Sequence, residues 1–215
     1  KIIGHLTGWT REELIVHYDD EVMSDLLIQI QEKYNLYAID HEPLEYILWY
    51  VEYGWLRFFV NKNTIIPRPE TEYMIESVRE YLEELKVKCW TLKVVLVDVG
   101  TWSGVLWLSL LHSHGSQIDQ AFLIDISDGA LEVAQSNYKY FVQYDQMSSD
   151  IFVTIEKGNL FSSPGLDSVL LDGYPDRSKG IVEKEIIDWL NSSAFASEGQ
   201  MQWQEFVVLA NLPYI

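Results

Sequence analysis

"KVVLVDVGTWSGVLWLSLL", residues 93–111, decides the fold. Its first seven residues are almost continuously apolar and rich in valine. Such a run belongs to a strand covered on both faces, because a strand with one wet face alternates instead. A small-residue stretch, "GTWSG" at 100–104, follows and opens into the apolar helical pattern "SGVLWLSLLHSH". Strand, glycine loop and helix in that order form the opening unit of a parallel α/β sheet.

The same rhythm returns downstream. "AFLIDI" (121–126) reads as a second strand, and "SDGALEVAQSNYKYF" (127–141) as a helix begun by a Ser/Asp cap. "IFVTIEKGNLF" (151–161) reads as a third strand and "EFVVLA" (205–210) as a fourth. The expected fold class is therefore α/β, a doubly wound sheet whose first four parallel strands are encoded here. Between Phe161 and Glu205 the only pattern is a helical patch, "IVEKEIIDWL" (181–190).

Upstream the periodicity changes. "TREELIVHYDDEV" begins with Thr10 ahead of paired glutamates, a helix start. "MSDLLIQIQEKYNL" places apolar residues at 23, 26, 27 and 30, and "HEPLEYIL" carries Pro43 at its start. Residues 1–48 are expected to form a small helical domain. Residues 49–68 follow as a linking β-hairpin, its turn read at Asn61-Lys62-Asn63. Residues 69–215 hold the sheet, entered through a helix that ends near residue 86.

The 215 residues carry a net charge of −18, with a pI near 4.5. So acidic a surface repels phosphate backbones, and lysines and arginines are scattered rather than clustered. One cysteine, Cys89, allows neither an internal disulfide nor a cysteine-built zinc site. His5, His17, His41, His112 and His114 lack metal-ligand spacing, and His112 and His114 suit a helix C-terminus. No run approaches the ~18 apolar residues of a membrane span. A cytoplasmic monomer without metal, membrane or nucleic-acid partner is expected.

In an open α/β sheet, ligands bind beyond the carboxyl ends of the strands. Those ends carry Asp98 with Gly100, Thr101, Trp102, Ser103 and Gly104, then Asp125, then Asn159 and Leu160. Small residues let backbone N–H groups approach a ligand, a carboxylate after the second strand accepts from ribose hydroxyls, and Asn159 can meet an adenine edge. Each also serves as an ordinary turn in any α/β domain. The dinucleotide pattern G-x-G-x-x-G is absent.

"DVGTWSG", "LIDIS", "EKGNLF" and "NLPYI", in this order, resemble class I S-adenosylmethionine-dependent methyltransferases. "PLEYILWYVEYGWLRFFVNKNTIIPRPETE" (43–72) is similar to the hairpin and "IPRPETE" signature of the protein-(glutamine-N5) methyltransferases. These are the HemK/PrmC-type enzymes that modify peptide chain release factors. The resemblance implies S-adenosyl-L-methionine as cofactor, held by residues 100–104, Asp125, Asn159, Leu160 and Asn211. It implies that Asn211, Pro213 and Tyr214 are catalytic: Asn211 receives the substrate glutamine amide, the Leu212–Pro213 backbone supplies a carbonyl, and Tyr214 packs on the amide plane. Arg68, Glu70 and Thr71 would line the mouth of the site, or simply start a helix. The family's sheet has more strands than the four read here, so a C-terminally truncated piece is expected.

Two departures stand out. The family motif is usually Asn-Pro-Pro-Tyr, and the Leu212 variant also occurs in ribosomal RNA adenine dimethyltransferases. Trp49, Trp55 and Trp102 fall on usual glycines, and Trp107 on a small residue. An indole resists positive φ and blocks close backbone approach. Either these positions are glycines encoded by UGA and read with the wrong genetic code, or cofactor binding is weak. Two alternatives to glutamine methylation therefore stay open: adenine-N6 methylation of nucleic acid, and a non-catalytic module with a decayed cofactor loop.

Overall fold

The computed structural model describes residues 1–88, 93–144, 147, 151–158 and 204–210. Four helices lead the chain: α1 (Ile2–Thr7), α2 (Arg11–Val16), α3 (Ser24–Ala38) and α4 (Leu44–Leu48). α2 starts as its sequence predicts. Thr10 accepts from the Glu13 amide while the Glu13 carboxylate accepts from the Thr10 amide, satisfying two helix-end donors reciprocally. α1, α2 and α3 bury no residue fully. They reach the rest of the chain through a few specific contacts: Lys33 Nζ donates to the Ile47 carbonyl at 2.9 Å, and the His5 ring lies 5.8 Å from that of Tyr50.

Strands β1 (Tyr50–Tyr53) and β2 (Leu56–Phe59) pair antiparallel, with Tyr53 opposite Leu56. The hairpin is present, but its turn is not Asn61-Lys62-Asn63. The chain reverses at Gly54-Trp55, both at positive φ (52° and 72°), as a two-residue primed turn with the strands' own twist requires. The Asn61–Asn63 signal makes a second turn just beyond, where Asn61 Oδ1 accepts from the Asn63 amide and Thr64 closes back on Asn61. Two turn signals stood a few residues apart, and an aromatic residue at position 55 hid the first.

Helix α5 (Glu70–Lys88) runs slightly past its predicted end, and the sheet follows. β3 (Lys93–Val99), β4 (Ile118–Asp125), β5 (Phe152–Lys157) and β6 (Gln204–Ala210) pair in parallel, in the order β5-β4-β3-β6. α6 (Val105–His114), ending at the two histidines, links β3 to β4 through a 3₁₀ turn at Gly115–Gln117. α7 (Asp128–Tyr144) links β4 to β5. The mixed α/β class and the parallel pairing are as the rhythm of strand and helix predicts. Residues 181–190 lie outside the described residues.

Burial explains why these elements stay put. β3 is buried from Val94 to Val99, and α6 from Val105 to Leu111, so α6 is apolar all round and sits inside the molecule. α7 is amphipathic and presents Ala130, Val133, Ala134, Asn137 and Phe141 to the interior. Phe58 of the hairpin meets Phe141 at 5.1 Å, so the hairpin and the sheet share one core.

Asn137 is the polar exception in that stripe and is fully buried. Its Oδ1 accepts from the Phe59 amide at 2.7 Å. Its Nδ2 donates to the Phe59 carbonyl at 3.0 Å and to the Ser103 carbonyl at 2.7 Å. One side chain thus ties the end of the hairpin to the glycine loop. Replacing Asn137 by Ala leaves those backbone groups unpaired and is expected to cost ~2–4 kcal/mol in denaturant unfolding, well above a surface substitution on the same helix.

Candidate functional site

The carboxyl ends of the strands are level. Val99 pairs with Ile124 on one side and with Ala210 on the other, and Asp125 pairs with Lys157. The chain moves outward from β3 to β4 to β5, and β6 then returns to the far flank of β3. Strand order reverses between β3 and β6, and a crevice at such a reversal is where open α/β sheets bind ligands. Ala210, the residue before Asn211 in sequence, sits beside Val99, the residue before Gly100.

The loop after β3 is built from backbone hydrogen bonds. The Gly100 and Thr101 amides both donate to the Ile124 carbonyl, at 2.8 and 3.2 Å, and the Gly104 amide donates to Thr101 at 2.7 Å. Gly100, Trp102 and Gly104 all have positive φ (71°, 52° and 81°). Asp125 holds this shape from the next strand: Oδ2 accepts from the Trp102 amide at 3.0 Å and Oδ1 from the Ser127 amide at 2.9 Å. The Asp125 carbonyl in turn accepts from the Gly158 amide at 3.1 Å, joining the third strand's exit to the same edge. Ser127 also caps α7, its Oγ accepting from the Ala130 amide.

The structure thus brings Gly100, Thr101, Trp102, Ser103, Gly104 and Asp125 together. Thr71, buried at the start of α5, shares a small cavity with that loop, walled also by Ile65 and Pro67. Arg68 and Glu70 are exposed; the Arg68 carbonyl accepts from the Tyr53 hydroxyl at 3.2 Å, fixing the entry to α5 against the hairpin. Asn159, Leu160, Asn211, Leu212, Pro213 and Tyr214 lie outside the described residues. Among the described residues, no group of three or more His, Cys, Asp or Glu side chains is arranged to hold a metal ion, and no helix is long and apolar enough to cross a membrane.

Two groups carry more than the sequence suggested. Asn137 reaches the loop through Ser103; its signal was a polar residue at an apolar-stripe position. Asp98 is almost wholly buried. Thr101 Oγ1 donates to its Oδ2 at 2.8 Å, while Oδ1 has no partner among the described residues. Burial above all, with the negative Asp125 adding to it against the opposing Thr101 hydrogen bond, pushes Asp98 up to about 7.

The position, beyond the strand ends and beside a loop with left-handed turns, is where open α/β sheets hold a nucleoside, but the Gly100, Thr101, Trp102 and Gly104 amides already donate within the protein. The space does not suit a nucleoside. The cavity between this loop and residues 65–71 holds about 20 Å³, with Trp102 in its wall. That admits roughly one water, against the several hundred Å³ typical of ligand pockets. A larger open hollow of about 770 Å³ runs along α5, but Glu76, Glu80, Glu83 and Glu84 line it, with none of the loop's donors.

Asp98 makes stability pH-dependent in a defined direction. The folded protein keeps a proton there that the unfolded chain releases in the ordinary carboxylate range. The resulting stabilisation is complete below that range and is lost as pH rises to about 7. Asp98→Asn should flatten this part of the stability curve between about pH 4 and pH 7, measured by denaturant unfolding at each pH.

No protein-family profile matches the chain. Several curated proteins do, each named a release factor glutamine methyltransferase. That of Flavobacterium psychrophilum is 30% identical over 179 residues, 82% of this chain and 58% of the relative. That of Neisseria gonorrhoeae is 32% identical over 136 residues, 63% of this chain and 46% of the relative. That of Mycoplasma mycoides is 27% identical over 212 residues, 96% of this chain and 70% of the relative. The chain spans about half the length of the first two. Matches of this extent converge on one name, and a parallel α/β sheet gathers the glycine loop and Asp125 at one edge; over most of its length the chain is similar to release factor glutamine methyltransferases.

Proposed function

We propose that the full-length protein transfers a methyl group from S-adenosyl-L-methionine to the side-chain amide nitrogen of a glutamine in a peptide chain release factor. The observation that carries this reading is the edge where the loop after β3, Asp125 and the exit of β6 stand side by side, in a chain whose relatives bear that name. On this reading the parallel strands are the first four of a class I methyltransferase sheet. Residues 1–48 are the helical substrate-recognition domain, 49–68 the hairpin linker and 69–215 the cofactor domain.

The proposed roles follow from the chemistry of an amide. Its nitrogen is a weak nucleophile because the lone pair is delocalised into the carbonyl. Asn211, through its side-chain oxygen, and the Leu212 carbonyl, preceding Pro213, hold the two amide hydrogens and turn the lone pair outward. Tyr214 stacks on the amide plane. A backbone carbonyl does not depend on its side chain, so Leu in place of the usual Pro preserves that acceptor. When bound, S-adenosyl-L-methionine would supply the sulfonium methyl that the oriented nitrogen accepts, the amide giving up one proton to water. Positioning of this kind is worth several orders of magnitude in rate without a metal or a covalent nucleophile. Asp125 and residues 100–104, with Asn159 and Leu160, would hold the cofactor. Arg68, Glu70 and Thr71 would border the entrance.

Adenine-N6 methylation would use the same Asn-Leu-Pro-Tyr segment. A net charge of −18 argues against a nucleic-acid substrate, since phosphate neutralisation supplies much of such binding. The test is to give the full-length protein methyl-labelled cofactor with either release factor or RNA. Label on a release-factor glutamine is expected, and label on RNA alone overturns the proposal. Asn211→Ala should lower kcat by ~10²–10³-fold with little change in cofactor affinity.

A further inference from the structure

Five tryptophans lie among the described residues, at 9, 49, 55, 102 and 107, and three of them occupy left-handed backbone. Only a few per cent of non-glycine residues have positive φ, and bulky residues are rarer still there. The only other such residue among those described is His41. Each of the three occupies a position with its own physical demand for glycine. Trp49 is the residue after α4, at φ 65° and ψ 14°, the left-handed cap that ends a helix. Trp55 is the second central residue of the β1–β2 turn, at φ 72°, where a primed turn calls for glycine. Trp102 is the middle of the loop after β3, at φ 52°, flanked by Gly100 and Gly104, themselves left-handed.

Nothing in the packing offsets the strain at two of these sites. Trp55 is fully exposed and Trp49 largely so. Trp9 is the contrast: its backbone is ordinary, its ring stacks on His17 at 4.3 Å, and its amide donates to Thr7 Oγ1. Trp107 differs again, being helical and fully buried with its ring 5.5 Å from that of Tyr138, so the backbone argument does not reach it.

We propose that the protein made in its own cell carries glycine at positions 49, 55 and 102. One event accounts for all three. UGA is read as tryptophan in some genetic codes and as glycine in others, so one reassigned codon exchanges these two residues wherever it is used. The codons at 49, 55 and 102 are then UGA and the codon at 9 is UGG. The loop becomes Gly-Thr-Gly-Ser-Gly. Removing the indole at 102 takes away part of the wall of the 20 Å³ cavity between the loop and residues 65–71. This last consequence rests on the methyltransferase reading; the glycine assignment does not.

The direct test is mass spectrometry of peptides from the protein purified from its source cells, read beside the gene. Glycine at 49, 55 and 102 with tryptophan at 9 is expected; tryptophan at any of the three overturns the proposal. A second measurement uses the full-length recombinant chain. Trp49→Gly and Trp55→Gly should each raise the melting temperature by ~2–4 °C, because the left-handed strain disappears and little packing is lost, whereas Trp9→Gly lowers it. A fall at 49 and 55 comparable to that at 9 contradicts the assignment. Trp102→Gly should tighten S-adenosylmethionine binding at least tenfold by titration calorimetry. Raised melting temperatures without such tightening support the glycines and count against the cofactor reading instead.

Discussion

The Asp125 carboxylate, accepting from the Trp102 and Ser127 amides, is the interaction on which the site's geometry depends. It lies at the end of β4, one strand from the loop it shapes, and its reach is possible only because β3 and β4 run parallel with their ends level. Buried backbone N–H groups demand partners, and a loop with left-handed residues at 100, 102 and 104 has few intrinsic ones. Asp125 supplies one, the Ile124 carbonyl takes two amides, and Asn137 takes the Ser103 carbonyl from the opposite direction. The loop is thus fixed from the neighbouring strand, from the helix α7 and, through the Phe59 backbone, from the hairpin.

This arrangement concentrates negative charge. Burial above all, with Asp125 adding to it, makes Asp98 hold its proton to about neutrality. Asp125, held at the strand end by the Trp102 and Ser127 amides, is then the ionised member of the pair at neutral pH. The acidic surface acts in the same sense at longer range, steering cations inward and phosphates away.

The sheet was legible from the sequence because strands covered on both faces leave continuous apolar runs, and "KVVLVDVG" and "AFLID" are nearly unmixed with polar residues. Loop residues 100–104 and Asp125 were legible because topology alone puts strand ends on one edge. The hairpin turn was misplaced because the cue for a primed turn is glycine at its second central position, and the residue there is Trp55. Asn137 was missed because its partners are backbone atoms 34 and 78 residues away, and no local pattern encodes such a reach. The first difficulty is local: side-chain identity predicts backbone conformation only where the residue suits its φ and ψ, and at 49, 55 and 102 it does not.

The central claim is that the edge formed by residues 100–104, Asp125 and Gly158 is the ligand site. Amide NMR of the full-length protein with glycine at 102, titrated with S-adenosylmethionine, tests it most directly. The account predicts that the largest shifts fall on Gly100, Gly104, Ser127 and Gly158, with α5 and α1–α3 unmoved. Shifts centred on the acidic hollow beside α5, or none at saturating ligand, would contradict it.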